Sequence, residues 1–308
     1  MNKLFVSVIF LAALVFGFNV VSSEYRVEFR DWALSMEAEK GGLQARTVEV
    51  NGTHMALYEN TAQGTPIVML HGFSGNKTNW LRLAQSLNGA YKLIIPDLKG
   101  HGDNPQDLDG DYRVSAQVDY LNALMGVLGV DKFHLVGNSM GGAISAVYAA
   151  RHPQQVESLI LISPAGVHEV PSEMDKLLET GKNPLIATNE EEFYQVIDFV
   201  MSEPPFIPSA IARAEAEVSV SRTAINKKIF TDIRSDLVEG SEKEFANISV
   251  PTLFIWGADD RAINVENIEP YSKLIAGSEK AVLDGIGHLA MIEVPDYTAE
   301  LITEFIEK

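Results

Sequence analysis

The chain has 308 residues and a mass of 33.8 kDa, enough for one large domain or two modest ones with a sizeable core. Its 46% hydrophobic and 21% charged residues exclude a disordered protein, and a formal charge of -18 counts against binding a phosphate backbone. The absence of cysteine excludes disulfides, Cys-ligated zinc, iron–sulfur clusters and a thiol nucleophile together.

Met1-Asn2-Lys3 gives a positive start, and the stretch from Leu4 to Phe18 is almost wholly apolar. Asn19 interrupts the run before Val20-Val21-Ser22-Ser23, so residues 1–23 read as a secretory signal with the mature part beginning near Glu24. Leu4 to Val21 also approaches the length that spans a bilayer, and an uncleaved membrane anchor is the competing reading. In both, Lys3 stays on the inner side and the remaining chain is exported to the periplasm or beyond, or held outside the cytoplasm at the membrane. Residues 24–45 mix Tyr25, Phe29, Trp32, Leu34 and Met36 with charges and end at Gly41-Gly42, as a surface helix would.

From Arg46 onward the pattern alternates. Arg46 to Val50 and Met55 to Glu59 flank Asn51-Gly52, a hairpin signal. Short apolar runs follow at Ile67 to Leu70, Leu93 to Pro96, Phe133 to Gly137, Leu159 to Ser163, Leu253 to Trp256 and Ala281 to Leu283. Helix-period segments lie between and after them at Trp80 to Leu87, Val114 to Leu128, Gly141 to Ala150, Val265 to Ile275 and Tyr297 to Glu307. Strands buried on both faces and alternating with helices make an α/β fold with a mostly parallel sheet. The alternation breaks between about Val167 and Asn247, where the chain is helical or irregular around Pro204-Pro205-Phe206-Ile207-Pro208. The expected organisation is a core of 46–166 and 248–308 with a helical cap, 167–247, over the end of the sheet where ligands bind.

The strongest local signal is Gly137-Asn138-Ser139-Met140-Gly141, a G-x-S-x-G pattern. Alone it is weak, since it arises by chance in roughly one chain of this length in ten. Here it follows a buried strand and opens an apolar helix, the setting of a nucleophile elbow on Ser139. A serine hydroxyl needs an adjacent base held by an acid. Of the seven histidines, His288 follows the strand run at Ala281 to Leu283, where a loop can reach Ser139. His54 sits in a hairpin, His134 within a strand and His152 at a helix end, while His168 begins the cap with no strand end to fix it. For the acid, the Leu253 to Trp256 run leads into Asp259-Asp260; Asp260 is favoured, with Asp259 left to stabilise the loop or face solvent. The chain order Ser139, Asp260, His288 is that of an α/β-hydrolase triad.

Acyl transfer develops charge on a carbonyl oxygen and requires preorganised donors. The backbone N–H of Phe73, in the loop after the Ile67 to Leu70 strand, and that of Met140, after the nucleophile, are the candidates. His71 has no second ligand at metal spacing and reads as a loop-structuring residue, so no metal is assigned. Asp97 and His101 likewise read as parts of a fixed turn.

With these residues in place, the chain resembles the α/β-hydrolase superfamily from Arg46 to Lys308, and more narrowly the Moraxella/Psychrobacter-type bacterial lipases. The segments that carry the resemblance are His71-Gly72-Phe73-Ser74-Gly75-Asn76-Lys77, Ile94-Ile95-Pro96-Asp97-Leu98, Gly137 through Ser145, and Asp198-Phe199-Val200-Met201 ahead of Pro204-Pro205. It is also similar to the abhydrolase-domain monoacylglycerol lipases, which carry an N-terminal membrane anchor. The resemblance implies an eight-stranded, mostly parallel sheet and hydrolysis of acylglycerols or other apolar acyl esters through an acyl-enzyme on Ser139, without a cofactor. It also supports Asp260 over Asp259, because the family's W-G-x-x-D pattern falls on Trp256, Gly257 and Asp260.

The cap offers Phe199, Met201, Phe206 and Ile207, with Phe193 and Tyr194, as an apolar set for an acyl chain, although the same residues would serve as the cap's own packing core. Two other functions fit the same fold. A carbon–carbon bond hydrolase of aromatic catabolism would share the elbow and triad, but members of that group usually carry Trp after the histidine where this chain has Leu289, and they lack an export signal. A non-catalytic binding protein would commonly have lost a triad residue, and all three are present. The expected partners are a lipid or small ester substrate and, through the N-terminus, a membrane; nucleic acid is not among them.

Overall fold

The computed structural model describes residues 23–87, 89–239 and 241–308; the signal or anchor expected at the N-terminus lies outside them save for Ser23. Among the described residues no helix is long and apolar enough to cross a membrane.

The eight strands are β1 (Gln44–Val50), β2 (Thr53–Glu59), β3 (Ile67–Leu70), β4 (Leu93–Pro96), β5 (Phe133–Asn138), β6 (Val156–Ile162), β7 (Thr252–Gly257) and β8 (Glu279–Leu283). They form one sheet in the order β1-β2-β4-β3-β5-β6-β7-β8. Only β2 runs against its neighbours β1 and β4; the remaining pairs are parallel. The β1–β2 hairpin turns on Asn51 and Gly52, both with positive φ (51° and 76°), which is what the Asn-Gly pair predicts.

The parallel strands are buried on both faces, and alternate residues feed two cores. Val68, Leu70, Leu135, Leu159, Leu161, Phe254 and Trp256 point to one side. Ile67, Met69, Val136, Ile160, Ile162, Leu253 and Ile255 point to the other. Period-2 side-chain alternation is what lets continuous apolar runs serve two helical layers. The first layer is built from α3 (Val114–Leu128), α4 (Met140–Arg151) and α9 (Ile268–Leu274). The second contains α2 (Leu81–Ser86), α10 (Ala290–Glu293) and α11 (Pro295–Ile306).

Helix α1 (Ser23–Lys40) precedes the sheet and ends at Gly42 in the left-handed region (φ 69°), a stop glycine performs without steric cost. It packs on the domain: Ala38 and Leu43 are buried in the second core, and Arg26 pairs with Glu217 of the cap. Between β6 and β7 the chain leaves the sheet and forms α5 (Glu173–Glu179), α6 (Glu190–Val200), α7 (Ser209–Ser221) and α8 (Thr223–Glu239). Phe199, Val200, Met201, Ile225, Ile229 and Ile233 of this excursion belong to the first core, so these helices are anchored apolar structure.

Candidate active site

The serine stands on a strained turn. β5 ends at Asn138, α4 begins at Met140, and Ser139 between them has φ 55° and ψ -118°. A non-glycine residue at positive φ costs about 1–3 kcal/mol and persists only where the surroundings over-determine it. Here the Ser139 N–H donates to Ile162 O (3.1 Å), and its carbonyl accepts from Ala143 (3.1 Å) and Ala165 (2.9 Å). The flanking glycines are steric necessities. A Cβ on Gly137 would lie 2.3 Å from Gly141 O, and one on Gly141 would lie 2.3 Å from Leu70 O.

His288 and Asp260 meet from two other strand ends. The Nδ1 of His288 donates to Asp260 Oδ2 at 2.7 Å. Because an ionised carboxylate only accepts, this bond puts the imidazole proton on Nδ1 and leaves the Nε2 lone pair unshared with Asp260. The other oxygen, Oδ1, accepts the N–H groups of Ala262 and Ile263, each at 2.9 Å, which stops the carboxylate from rotating. Asp259 is exposed, and its N–H donates to Ile286 O (2.9 Å), so it serves the loop. The two loops approach closely at Gly257, where a Cβ would lie 2.0 Å from Gly287 O. Asn138, beside the serine, donates from Nδ2 to His288 O at 3.1 Å and so ties the His288 loop to β5.

The loop after β3 brings Gly72 and Phe73 against the elbow; a Cβ on Gly72 would lie 3.1 Å from Ser139 Cβ. Neither Phe73 N–H nor Met140 N–H donates to another group among the described residues, which leaves both available to a ligand. The Phe73 ring packs edge-on against Phe230 of α8 (5.3 Å between centroids), and Asn226 of the same helix donates to Ser74 Oγ (2.9 Å). His71 lies beneath this loop, fully buried, with Nδ1 donating to Gly72 O (2.8 Å) and Nε2 accepting from Leu98 N–H (3.0 Å). Burial pushes its pKa down to about 4, and that of the adjacent His101 to about 3, so both are neutral struts. Asp97 accepts from Lys77 N–H (2.7 Å), Lys77 Nζ (2.7 Å) and Asp103 N–H (2.9 Å), which ties its own turn to the loop that carries Lys77.

Ser139, His288 and Phe73 open on one cavity of about 1120 Å³. Its lining combines apolar residues of the cap, Phe193, Val196, Ile197, Val200, Met201 and Ile207, with the polar Glu215, Ser219 and Arg222 of the cap and Arg30, Asn79, Arg82 and Gln85 from outside it. Met201, Phe206 and Ile207 line it, and Phe206 is 86% exposed. Phe199 does not: it is buried in the first core with the Arg261 guanidinium 4.8 Å from its ring centroid. The reason is helical geometry. Phe193, Val196, Ile197 and Val200 fall on one face of α6 at i, i+3, i+4 and i+7, and Phe199 lies off that stripe. The same spacing would have found Val196, Ile197 and Val200 in the sequence; nothing local would have found Arg30 as a neighbour of the site. Tyr194, also off the stripe, faces solvent.

A family model described as the alpha/beta hydrolase fold matches residues 65–295. The chain is 35% identical to "Lipase 3" of Moraxella sp. (strain TA144) over 305 residues, covering 97% of this chain and 96% of that protein. It is 36% identical to "Lipase 1" of Psychrobacter immobilis over 273 residues, covering 87% and 85%. Among solved structures, a bacterial membrane phospholipase A described as a virulence factor superposes with a TM-score of 0.89 at 33% identity, covering 100% of this chain and 98% of that one.

Proposed function

The chain belongs to the α/β-hydrolase fold family, and from that premise we propose how its residues divide the work of a serine lipase or esterase. The observation that carries the reading is the 2.7 Å His288–Asp260 pair opening, with the strained Ser139, on one amphipathic cavity. Nε2 of His288 takes the Ser139 proton as Oγ attacks the ester carbonyl, and Asp260 holds the imidazole in the required tautomer and stabilises its charged form. The N–H groups of Phe73 and Met140 hold the oxyanion. His288 then returns the proton to the departing alcohol, leaving the acyl group on Ser139. Water, deprotonated by His288, attacks this acyl-enzyme; collapse releases the acid and restores the serine.

The substrate is an acylglycerol or another apolar acyl ester, its acyl chain along the cap wall at Val196, Ile197, Val200 and Met201 and its alcohol part toward Arg82 and Gln85. The lipase names of the Moraxella and Psychrobacter relatives support this class. The apolar run from Leu4 to Phe18 behind Lys3 supports export with the catalytic domain outside the cytoplasm, and membrane association through the N-terminus wherever that run is retained. The residue division 46–166 and 248–308 for the core and 167–247 for the cap follows the same reading.

The test is hydrolysis of p-nitrophenyl esters from acetate to palmitate by the full chain in detergent, beside Ser139→Ala. Serine-dependent turnover with a maximum at medium or long chains is expected. A folded protein that cleaves no ester of the series would sink the assignment.

A further inference from the structure

Glu293, the last residue of α10, sits partly buried five residues after His288 and takes no part in the chemistry above. Its carboxylate nevertheless accepts four backbone N–H groups from two separate segments. Two flank the base: Gly287 (3.1 and 3.2 Å to the two oxygens) and Leu289 (3.3 Å). The other two come from the chain just past α6: Ser202 (2.8 Å) and Glu203 (2.9 Å). The segments also touch directly. His288 N–H donates to Val200 O at 2.8 Å, and a Cβ on Gly287 would lie 2.8 Å from Ser202 N.

The need for this carboxylate is local. α6 ends at Val200 with Met201 extended (φ -127°, ψ 140°), so the N–H groups that follow lose their helical acceptors, and Pro204 and Pro205 prevent the helix from resuming. On the base side, the loop must hold an imidazole in one orientation while its own amides lack strand partners. One anion meets both demands, through charge-assisted bonds stronger than neutral ones. Val200 and Met201 meanwhile line the acyl wall of the cavity.

We infer that Glu293 is a positioning residue that locks the cap segment Val200–Glu203 to the His288 loop, so that the acyl-binding wall and the catalytic base share one support. The inference rests on the ester-hydrolase reading for its kinetic readout but not for its structural one. Glu293→Gln keeps the shape while replacing one acceptor oxygen with an NH2 group, which must face an N–H donor. Glu293→Ala removes all four bonds.

The experiment measures amide hydrogen exchange and ester kinetics on the full chain in detergent, for wild type and both variants. Expected in Glu293→Gln is faster exchange in 200–203 and 287–289 together, with the strands of the sheet unchanged. Turnover of p-nitrophenyl acetate should fall by about 10- to 100-fold, the scale of a base displaced by about 1 Å. The fall should be larger still for the decanoate, whose chain also needs the Met201 wall. Loosening of only one segment, or an equal loss at every chain length, would overturn the coupling. Unchanged exchange in both segments would overturn the inference entirely, even if both variants lost activity by melting at a lower temperature. If the wild type cleaves no ester, the exchange result still decides the matter.

Discussion

The two loops that present the serine and the histidine are built by opposite means. The elbow from Gly137 to Gly142 is shaped by sterics: close contacts such as Gly137 against Gly141 O and Gly141 against Leu70 O admit no side chain. The loop from Gly285 to Leu289 borrows its support. Its bonds reach Val200 in the cap, Asn138 on β5 and Glu293 beyond it, and its ring is held by Asp260 from β7. A turn forced by sterics over six residues writes itself into the sequence as a motif; a loop held by distant partners does not.

The contrast can be broken at several points. Ser139→Ala should lower turnover by at least about 10⁴-fold with the fold intact, as loss of a triad nucleophile does elsewhere; circular dichroism and ester kinetics check this together. Asp260→Asn should cost about 10³- to 10⁴-fold by presenting the wrong partner to Nδ1. Asp259→Asn should stay within about twofold, and the reverse order would reassign the acid. Gly141→Ala attacks the elbow itself: its Cβ would meet backbone oxygens at 2.3 and 2.5 Å, so chemical denaturation should show a loss of about 3 kcal/mol. Gly285→Ala, in the borrowed loop, meets nothing within 4 Å and has only its φ of 74° to contend with, so about 1 kcal/mol is expected.

The loop after β3, which carries Phe73, should show a pH-dependent stability of its own. His71 and His101 are held neutral in the folded state, with pKa values pushed down to about 4 and about 3, while the unfolded chain takes up protons near 6.5. The unfolded state therefore binds more protons below about 6.5, and stability falls as the pH drops toward the folded values. The fully buried His71 alone accounts for about 3 kcal/mol across that interval. The denaturation midpoint should decline between pH 6.5 and 4, and His71→Gln should flatten the decline.

What the sequence discloses follows the same division. Strand runs such as Ile67 to Leu70, the Asn51-Gly52 hairpin and the Ser139 elbow are local patterns, and the structure has β3, the β1–β2 turn and the strand-to-helix step at those positions. The residues on the cavity wall were half legible: apolar character singled out Met201, Phe206 and Ile207, but Phe199 shared that character while its helical position turned it into the core. Glu293 was not legible at all. A glutamate near a helix end is ordinary until tertiary structure brings Ser202 and Glu203 to it.

The most direct test of the central claim, a serine activated by His288 and Asp260, is intact-mass and peptide mapping after brief exposure to a fluorophosphonate ester. A single adduct is expected on the peptide containing Ser139, absent in Ser139→Ala and strongly slowed in Asp260→Asn. An adduct on another residue, or labelling unchanged by Asp260→Asn, would contradict it.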